Sequence, residues 1–138
     1  MGVERTFVML KPDAVERGLV GQIISRFEAK GLKVVALKMV RLSREAAEAH
    51  YRVHKGKHFF DDLVNFICSG PVVAMILEGR EAVKTVRQLV GATDPVLALP
   101  GTIRGDLATE VTRNLVHAAD SLEAAEREWA LFFPESGV

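Results

Sequence analysis

The chain has 138 residues, of which 49% are hydrophobic, and this size suits one domain with a substantial core. Lysine plus arginine and aspartate plus glutamate are equal at 18 each, which excludes a general attraction to nucleic acid or to an anionic membrane. The single cysteine, Cys68, excludes an internal disulfide, and no apolar stretch reaches the ~18 to 20 residues of a membrane span. We expect one domain over residues 1–138 in the cytoplasm.

The first two predicted elements are a strand and a helix. Residues 6–10 are rich in strand-forming side chains, and the run stops at Pro12, which cannot continue a ladder. From Val20 to Phe27 apolar residues recur at helical spacing, and Gly31 supplies the expected helix stop. The pattern predicts an amphipathic helix with one buried face.

Two further strands are predicted with a pair of helices between them. Residues 32–40 read as a second strand, and Ser43 reads as the N-cap of the next helix. Another helical stretch covers residues 59–68. Residues 72–77 are apolar without alternation, which is typical of a central strand covered on both faces.

The last part of the chain predicts a helix, a long loop, a short strand and a final helix. The helix covers residues 80–90 and ends at Gly91, and about twenty residues without a clear period follow, as in functional loops. A short strand is predicted around residues 114–116. The last helix covers residues 121–131, with Asp120 as its N-cap.

This order of elements, β-α-β-(αα)-β-α-β-α, indicates the α+β class. It suits a ferredoxin-like split βαβ sandwich, in which helices cover one face of a four-stranded antiparallel sheet. The long loop precedes the last strand of that sheet. We therefore expect functional side chains where the loop meets the strand.

The long loop contains a candidate phosphate-binding group. Gly101 and Gly105 free the backbone around Arg104, whose planar guanidinium suits phosphate oxygens. Arg87 on the preceding helix and Thr93 complete a cationic, donor-rich cup. For any one of these arginines a solvated surface charge is the alternative. Their clustering favours phosphate binding.

His117 is the candidate nucleophile. It ends the predicted last strand, directly before a helix whose first N–H groups favour an anion. Neutral imidazole is a nucleophile near pH 7 because its unperturbed pKa is about 6.5, although a partly buried structural histidine is the alternative. Glu128 has no opposite charge three or four residues away on its helix, so orienting an imidazole is a plausible role for it.

Other residues permit weaker interpretations. His50, His54 and His58 recur every four residues, which on one continuous helix indicates a zinc site, but Gly56 interrupts that helix. Phe59 offers a ring to a nucleobase, although an aromatic residue at a helix start is usually core.

The chain has neither a Walker loop nor a G-x-G-x-x-G fingerprint, so a nucleotide enzyme with this sequence must hold phosphates with side chains.

Several strings of this sequence together resemble nucleoside diphosphate kinases. In chain order they are Glu4–Phe7 with Lys11–Asp13, His50–Tyr51, Phe59–Phe60, Ser69–Met75, Pro100–Asp106 and Asn114–Ser121. The similarity runs from about Glu4 to Phe133 in order and at the family's spacing. It implies a ferredoxin-like fold and a homo-oligomer, either a hexamer or a tetramer.

The resemblance also implies an activity. The γ-phosphoryl group of a nucleoside triphosphate would pass to a nucleoside diphosphate by a ping-pong mechanism, through phosphohistidine at His117. The implied cofactor is Mg²⁺, which spreads the charge of the transferred group. It would be held mainly by the nucleotide phosphates, with Asp120 as a candidate ligand through water.

Residue roles follow from the same similarity. The implied phosphate ligands are Arg87, Thr93 and Arg104 for the β- and γ-phosphates and His54 for the α-phosphate. The implied nucleoside contacts are Lys11 and Asn114 at the sugar hydroxyls, Phe59 stacked on the base and Val111 opposite. The implied supports of His117 are Tyr51 and Glu128.

The chain departs from the family beside the site. The family usually has serine where this chain has Ala119, so we expect one hydrogen bond near His117 to be missing and activity to be reduced. His58 stands where the family often has proline, which predicts weaker base stacking at Phe59. In a regular strand Asn114 and His117 would point to opposite faces, so we also predict irregular backbone between them.

Two other functions remain open on the residues alone. A non-catalytic ferredoxin-like module that binds nucleotide or RNA is disfavoured by the balanced charge and by the lack of an aromatic-rich central strand. A phosphatase would use the same histidine but pass the phosphoryl group to water. We expect nucleoside tri- and diphosphates as partners, and neither a membrane nor a specific nucleic acid.

Overall fold

The computed structural model of the chain describes residues 2–134. The strands in this range are β1 (Val3–Leu10), β2 (Lys33–Val40), β3 (Val72–Arg80) and β4 (Val116–Ala118). The helices are α1 (Pro12–Glu16), α2 (Val20–Ala29), α3 (Arg44–His50), α4 (Phe60–Ile67), α5 (Ala82–Val90), α6 (Ile103–Leu107) and α7 (Leu122–Phe132), with a 3₁₀ turn at Arg52–His54. No helix in this range has both the length and the apolar character needed to span a membrane.

The four strands form one antiparallel sheet in the order β2-β3-β1-β4. The inner strands β3 and β1 carry the long apolar runs, and Phe7–Leu10 are fully buried. The short strand β4 pairs with the end of β1, where His117 lies opposite Met9. The sheet therefore places His117 beside its most buried strand.

Helices cover both faces of this sheet. On one face Val8 and Leu10 pack with residues of α2 and α5, and on the other Phe7 and Met9 pack with residues of α3, α4 and α7. The expectation that helices cover a single face is therefore wrong. The αα insertion and the last helix each have an apolar side, and these sides are buried on the second face.

Several predicted local features are confirmed. Gly31, with φ of 101°, follows the end of α2. Ser43 caps α3, because its Oγ accepts a hydrogen bond of 3.1 Å from the N–H of Ala46. The unbroken apolar run of β3 is an inner strand, as expected.

The boundaries near the site differ from the predicted ones. The last strand is Val116–Ala118 and not residues 114–116, so His117 lies in the middle of the strand. The N-cap of α7 is Ser121 and not Asp120, because the Ser121 Oγ accepts from the N–H of Ala124 at 3.0 Å. Helix α5 begins only at Ala82, since β3 continues to Arg80 and Glu81 is the N-cap of the helix. The predicted long loop contains the helix α6.

Candidate active site

One cavity of about 640 Å³ opens beside β4. Its lining includes every residue for which the resemblance implies a role: Lys11, Tyr51, His54, Phe59, Arg87, Thr93, Arg104, Val111, Asn114, His117, Asp120 and Glu128. These residues come from the end of β1 onward: Lys11 directly follows that strand, and the others lie in or beside β4, the helices and the long loop. A volume of this size accommodates a small organic ligand such as a nucleotide.

His117 is held by Glu128 at one of its two ring nitrogens. Glu128 Oε1 lies 2.9 Å from His117 Nε2, and the Glu128 side chain is 9% exposed. A carboxylate can only accept, so Nε2–H is the donor and Nδ1 keeps its lone pair in the neutral ring. The His117 side chain is 27% exposed and borders the cavity. The arrangement presents an oriented, accessible nucleophilic nitrogen.

Two arginines bind the backbone on either side of His117. Arg104 Nη2 donates to the carbonyl oxygen of Val116 at 2.6 Å, and Arg87 Nη1 donates to that of Ala118 at 3.2 Å. Both side chains also line the cavity. The strand that carries His117 is thereby fixed between two cations, which suits an anionic substrate.

Arg104 ties the long loop to the strand. Besides Val116 it donates to the carbonyl oxygens of Gly91 at 3.1 Å and Asn114 at 3.4 Å. Burial and the neighbouring Arg87 lower the pKa of Arg104 to about 10. These contacts use three of the five guanidinium N–H groups, so two are left for a phosphate.

The helix α6 that carries Arg104 has local requirements of its own. Its N-cap is Thr102, whose Oγ1 accepts from the N–H of Gly105 at 3.0 Å. A Cβ at Gly105 would collide with the carbonyl oxygen of Leu99. The glycine that the sequence analysis read as backbone freedom is thus required for a close approach of two backbone segments.

The backbone directly before β4 is irregular, as predicted. Leu115 has φ of 75°, and the N–H of Val116 donates to the carbonyl oxygen of Asn114 at 2.9 Å, which defines a γ-turn. Left-handed backbone at a residue other than glycine costs about 1–3 kcal/mol and is found where surrounding contacts enforce it. The turn brings Asn114 and His117 to the same cavity in spite of the alternation of strand side chains.

Lys11 and Asn114 form a polar chain across the cavity floor. Lys11 Nζ donates to Asn114 Oδ1 at 2.8 Å and to the carbonyl oxygen of Thr112 at 3.1 Å. Asn114 Nδ2 donates to the carbonyl oxygen of Thr93 at 3.0 Å. Burial lowers the pKa of Lys11 to about 8, with Asp13 acting in the opposite direction.

The mouth of the cavity has an aromatic side. The rings of His54 and Phe59 lie 5.3 Å apart between centroids, and Val111 lines the cavity with half of its surface exposed. Lys57 Nζ lies 3.3 Å from His54 Nδ1 and 5.7 Å from the centre of the Phe59 ring. Partial burial and Lys57 lower the pKa of His54. A planar base has an aromatic face to stack on here.

Tyr51 belongs to the buried side of the cavity. Burial, and then the carboxylate of Glu128, raise its pKa to about 12, so its hydroxyl stays protonated. Its ring lies 4.8 Å from that of His50 between centroids. Tyr51 therefore supplies a neutral hydroxyl beside the group that orients His117.

The sequence analysis assigned His50 only a candidate role as a zinc ligand, yet it also lines the cavity. Its ring stands nearly perpendicular to that of His117, with centroids 4.7 Å apart, and both of its nitrogens are buried without a hydrogen-bond partner among residues 2–134. Burial, and then His117, hold its pKa well below the usual value, which keeps the ring neutral. The single helix needed for the zinc alternative does not exist, because α3 ends at His50.

The cavity is large enough for a nucleotide and has cations beside a candidate nucleophile. A phosphotransferase requires these features. Comparison with known proteins is more specific, because the nucleoside diphosphate kinase family profile matches residues 4–138. Proteins named nucleoside diphosphate kinase from Saccharolobus solfataricus and Hyperthermus butylicus are 57% and 61% identical over 138 residues, covering all of this chain and 100% and 97% of theirs. The chain belongs to the nucleoside diphosphate kinase family and is a phosphotransferase of that class.

Solved structures agree with this assignment. A halophilic nucleoside diphosphate kinase from Halobacterium salinarum in complex with CDP matches with a TM-score of 0.94 at 54% identity, over 97% of this chain and 90% of that one. A protein of the family from Babesia bovis matches with a TM-score of 0.92 at 53% identity, over 96% and 90%. The predicted family and fold are confirmed, and the non-catalytic binding module is not favoured.

Proposed function

We propose that this chain transfers the γ-phosphoryl group of a nucleoside triphosphate to a nucleoside diphosphate by a ping-pong mechanism, through phosphohistidine at His117. One observation carries the proposal: Glu128 engages His117 Nε2 at 2.9 Å, which leaves Nδ1 as the nucleophile beside the cavity. The names of the relatives and the bound CDP of the halobacterial structure support the substrate class.

The two half-reactions use the same atoms in opposite directions. The Nδ1 lone pair of His117 attacks the γ-phosphorus, and the bond from that phosphorus to the β-phosphate oxygen breaks as the diphosphate leaves. The Nε2 proton remains on the ring, where the Glu128 carboxylate offsets the positive charge of the phosphorylated imidazole. A β-phosphate oxygen of the second nucleotide then attacks the phosphorus, and the P–N bond breaks.

The remaining lining residues bind the nucleotide in this proposal. Arg87, Arg104 and Thr93 hold the β- and γ-phosphates, because the two arginines flank the His117 strand. His54 contacts the α-phosphate, and Phe59 stacks on the base with Val111 opposite, at the aromatic mouth. Lys11 and Asn114 contact the sugar hydroxyls, and Tyr51 supports the pair formed by His117 and Glu128.

Kinases of this family work with a divalent cation, and we propose Mg²⁺. Among residues 2–134, the carboxylates that line the cavity are Asp120 and Glu128, and Glu128 is engaged by His117. One remaining carboxylate suits Mg²⁺, which keeps its waters and is held mainly by substrate phosphates, with Asp120 contributing through water. The ion would neutralise charge on the phosphates, while the protein supplies the nucleophile and the arginines.

We further propose that the chain acts in the cytoplasm as a homo-oligomer, either a hexamer or a tetramer. Leu37 and Met39 on the edge strand β2 are 48% and 56% exposed, and Val96, Leu97 and Leu99 in the long loop are exposed by 72% or more. Apolar side chains on an edge and a loop suit burial against further copies. Light scattering after size exclusion measures the mass, and a monomer would contradict this proposal.

Labelling with γ-labelled ATP tests the proposed function. The parent should acquire acid-labile, alkali-stable label and lose it to added nucleoside diphosphate, which becomes labelled triphosphate. His117→Ala should take no label, whereas His58→Ala, a change at an exposed histidine that does not line the cavity, should still take the label. Release of the label as free phosphate in the presence of acceptor would instead identify a phosphatase.

A further inference from the structure

We propose that Asp13 is a positioning residue for His117, although it does not line the cavity. Its carboxylate holds the γ-turn at Leu115, and that turn aims Asn114 and His117 at the same bound nucleotide. The inference rests on the proposed role of His117 as the nucleophile.

The contacts of Leu115 show how the turn is held. Asp13 Oδ2 accepts from the N–H of Leu115 at 3.1 Å, and the carbonyl oxygen of Leu115 accepts from the N–H of Lys11 at 2.9 Å. Asp13 is 4% exposed and Leu115 is fully buried. Water therefore cannot replace the carboxylate at this N–H, and both polar groups of Leu115 are fixed from the segment that follows β1.

The turn needs an external hold because Leu115 has a Cβ. With φ of 75° its backbone occupies a region that leucine adopts only when its surroundings enforce it. A relaxed, extended Leu115 would restore the alternation of a regular strand and separate Asn114 from His117. The hydrogen bond from Leu115 to Asp13 therefore determines whether Asn114 and His117 both point into the cavity.

Asp13 itself is an unfavourable group to bury. Its Oδ1 is buried without a hydrogen-bond partner in the described part of the chain, and burial raises its pKa, while Lys11 and Arg113 act in the opposite direction. A buried carboxyl group with one oxygen unsatisfied adds little to folding stability. Such a group is better explained by the geometry that it imposes.

Four variants separate positioning from stability: Asp13→Ala, Asp13→Asn, Leu115→Gly and the double variant Asp13→Ala with Leu115→Gly. Asp13→Ala should lower kcat and the rate of His117 labelling by about 100-fold, since a small displacement of a reacting group has an effect of that order. Asp13→Asn should stay within about threefold of the parent, because the amide oxygen accepts the same hydrogen bond. Ile23→Val changes the hydrophobic cluster to which Leu115 also belongs. It is the stability control and should keep the parental kcat.

The glycine background gives the sharpest comparison. Glycine adopts a positive φ unaided, so the loss of kcat on removing Asp13 should shrink to about tenfold or less when residue 115 is glycine. Amide exchange of Leu115 should be slow in the parent and in Asp13→Asn, and fast in Asp13→Ala. If Asp13→Ala does not fold, Asp13→Glu replaces it, since it keeps the charge but displaces the acceptor and should lower kcat by about tenfold.

Two results would overturn the inference. One is a kcat of Asp13→Ala, or of its Asp13→Glu replacement, within about twofold of the parent, well short of the loss expected from a displaced nucleophile. The other is a loss on removing Asp13 that is the same whether residue 115 is leucine or glycine. Failure of the proposed function has a different signature, because then the parent itself would take no label at His117.

Discussion

Glu128 Oε1 lies 2.9 Å from His117 Nε2, so a carboxylate buried on α7 fixes the imidazole of β4 by one nitrogen, and no other residue between 2 and 134 forms a hydrogen bond with the second nitrogen. The two residues are eleven positions apart, and the turn between β4 and α7 closes the pair. The geometry assigns the two ring nitrogens different tasks. In the proposed mechanism Nε2 keeps a proton and Nδ1 is the nucleophile.

Two substitutions of Glu128 should therefore lower kcat to different extents. Glu128→Gln retains an acceptor for Nε2–H but not the negative charge, and we expect kcat to fall by about tenfold; Glu128→Ala removes both, and we expect about 100-fold. Steady-state kinetics with saturating nucleotide measures both. Glu126→Ala, an exposed glutamate on the same helix, is the control. Parental kcat in Glu128→Ala would contradict the assignment.

Arg104 and Arg87 should respond differently to lysine substitution. Arg104 is 8% exposed and donates to three backbone carbonyl groups, which an ammonium group cannot reproduce. We expect Arg104→Lys to lower the free energy of unfolding by about 1.5–3 kcal/mol. Arg87→Lys, at an exposed position, should change it by about 0.5 kcal/mol or less while raising the KM for nucleotide.

Urea unfolding of the two lysine variants measures this difference. Both should also lose kcat/KM, because both guanidinium groups border the cavity. Equal free energies of unfolding would mean that the carbonyl contacts of Arg104 do not stabilise the loop.

The lowered pKa of Lys11 predicts that activity falls at alkaline pH. This pKa is lowered to about 8, so the ammonium form that donates to Asn114, and that is proposed to contact the sugar hydroxyls, is present below that pH and is lost as the pH rises through it. The kcat/KM of the parent should fall accordingly, since that parameter reports groups of the free enzyme. In Lys11→Met the fall near pH 8 should be absent from the residual activity. Lys33→Met, at an exposed lysine, should retain it.

Substitution of Ala119 by serine should raise the activity. Ala119 follows β4, is 1% exposed, and stands where the family usually has serine. We expect Ala119→Ser to restore a hydrogen bond near the pair of His117 and Glu128 and to raise kcat. Turnover of this variant is measured beside that of the parent. An unchanged or lower kcat would mean that the missing hydrogen bond does not limit the activity of the parent.

The sequence was sufficient to predict the elements with strong periodic patterns. Helix α2 has a repeating apolar face and a glycine stop, and β3 has an unbroken apolar run, so both lie within a few residues of their predicted bounds. Helices α1 and α6 were missed because five residues are too few to establish a helical period. The last strand begins two residues later than predicted because the γ-turn at Leu115 delays its pairing.

The members of the candidate site were predictable, but the contacts between them were not. The resemblance and the local chemistry named His117, Arg104 and Glu128, and the structure gathers them at one cavity. The carbonyl contacts of Arg104 and the hold of Asp13 on Leu115 join residues from distant parts of the chain. No local pattern encodes them, since they arise only when β1 and β4 pair.

The position of the phosphoryl group on the imidazole tests the central claim most directly. The protein, labelled with ¹⁵N at histidine and phosphorylated by a nucleoside triphosphate, can be examined by NMR through the coupling between phosphorus and the ring nitrogens. Because Glu128 occupies Nε2, we predict a single phosphohistidine, at Nδ1 of His117. Phosphate at Nε2, or on a residue other than His117, would contradict the account.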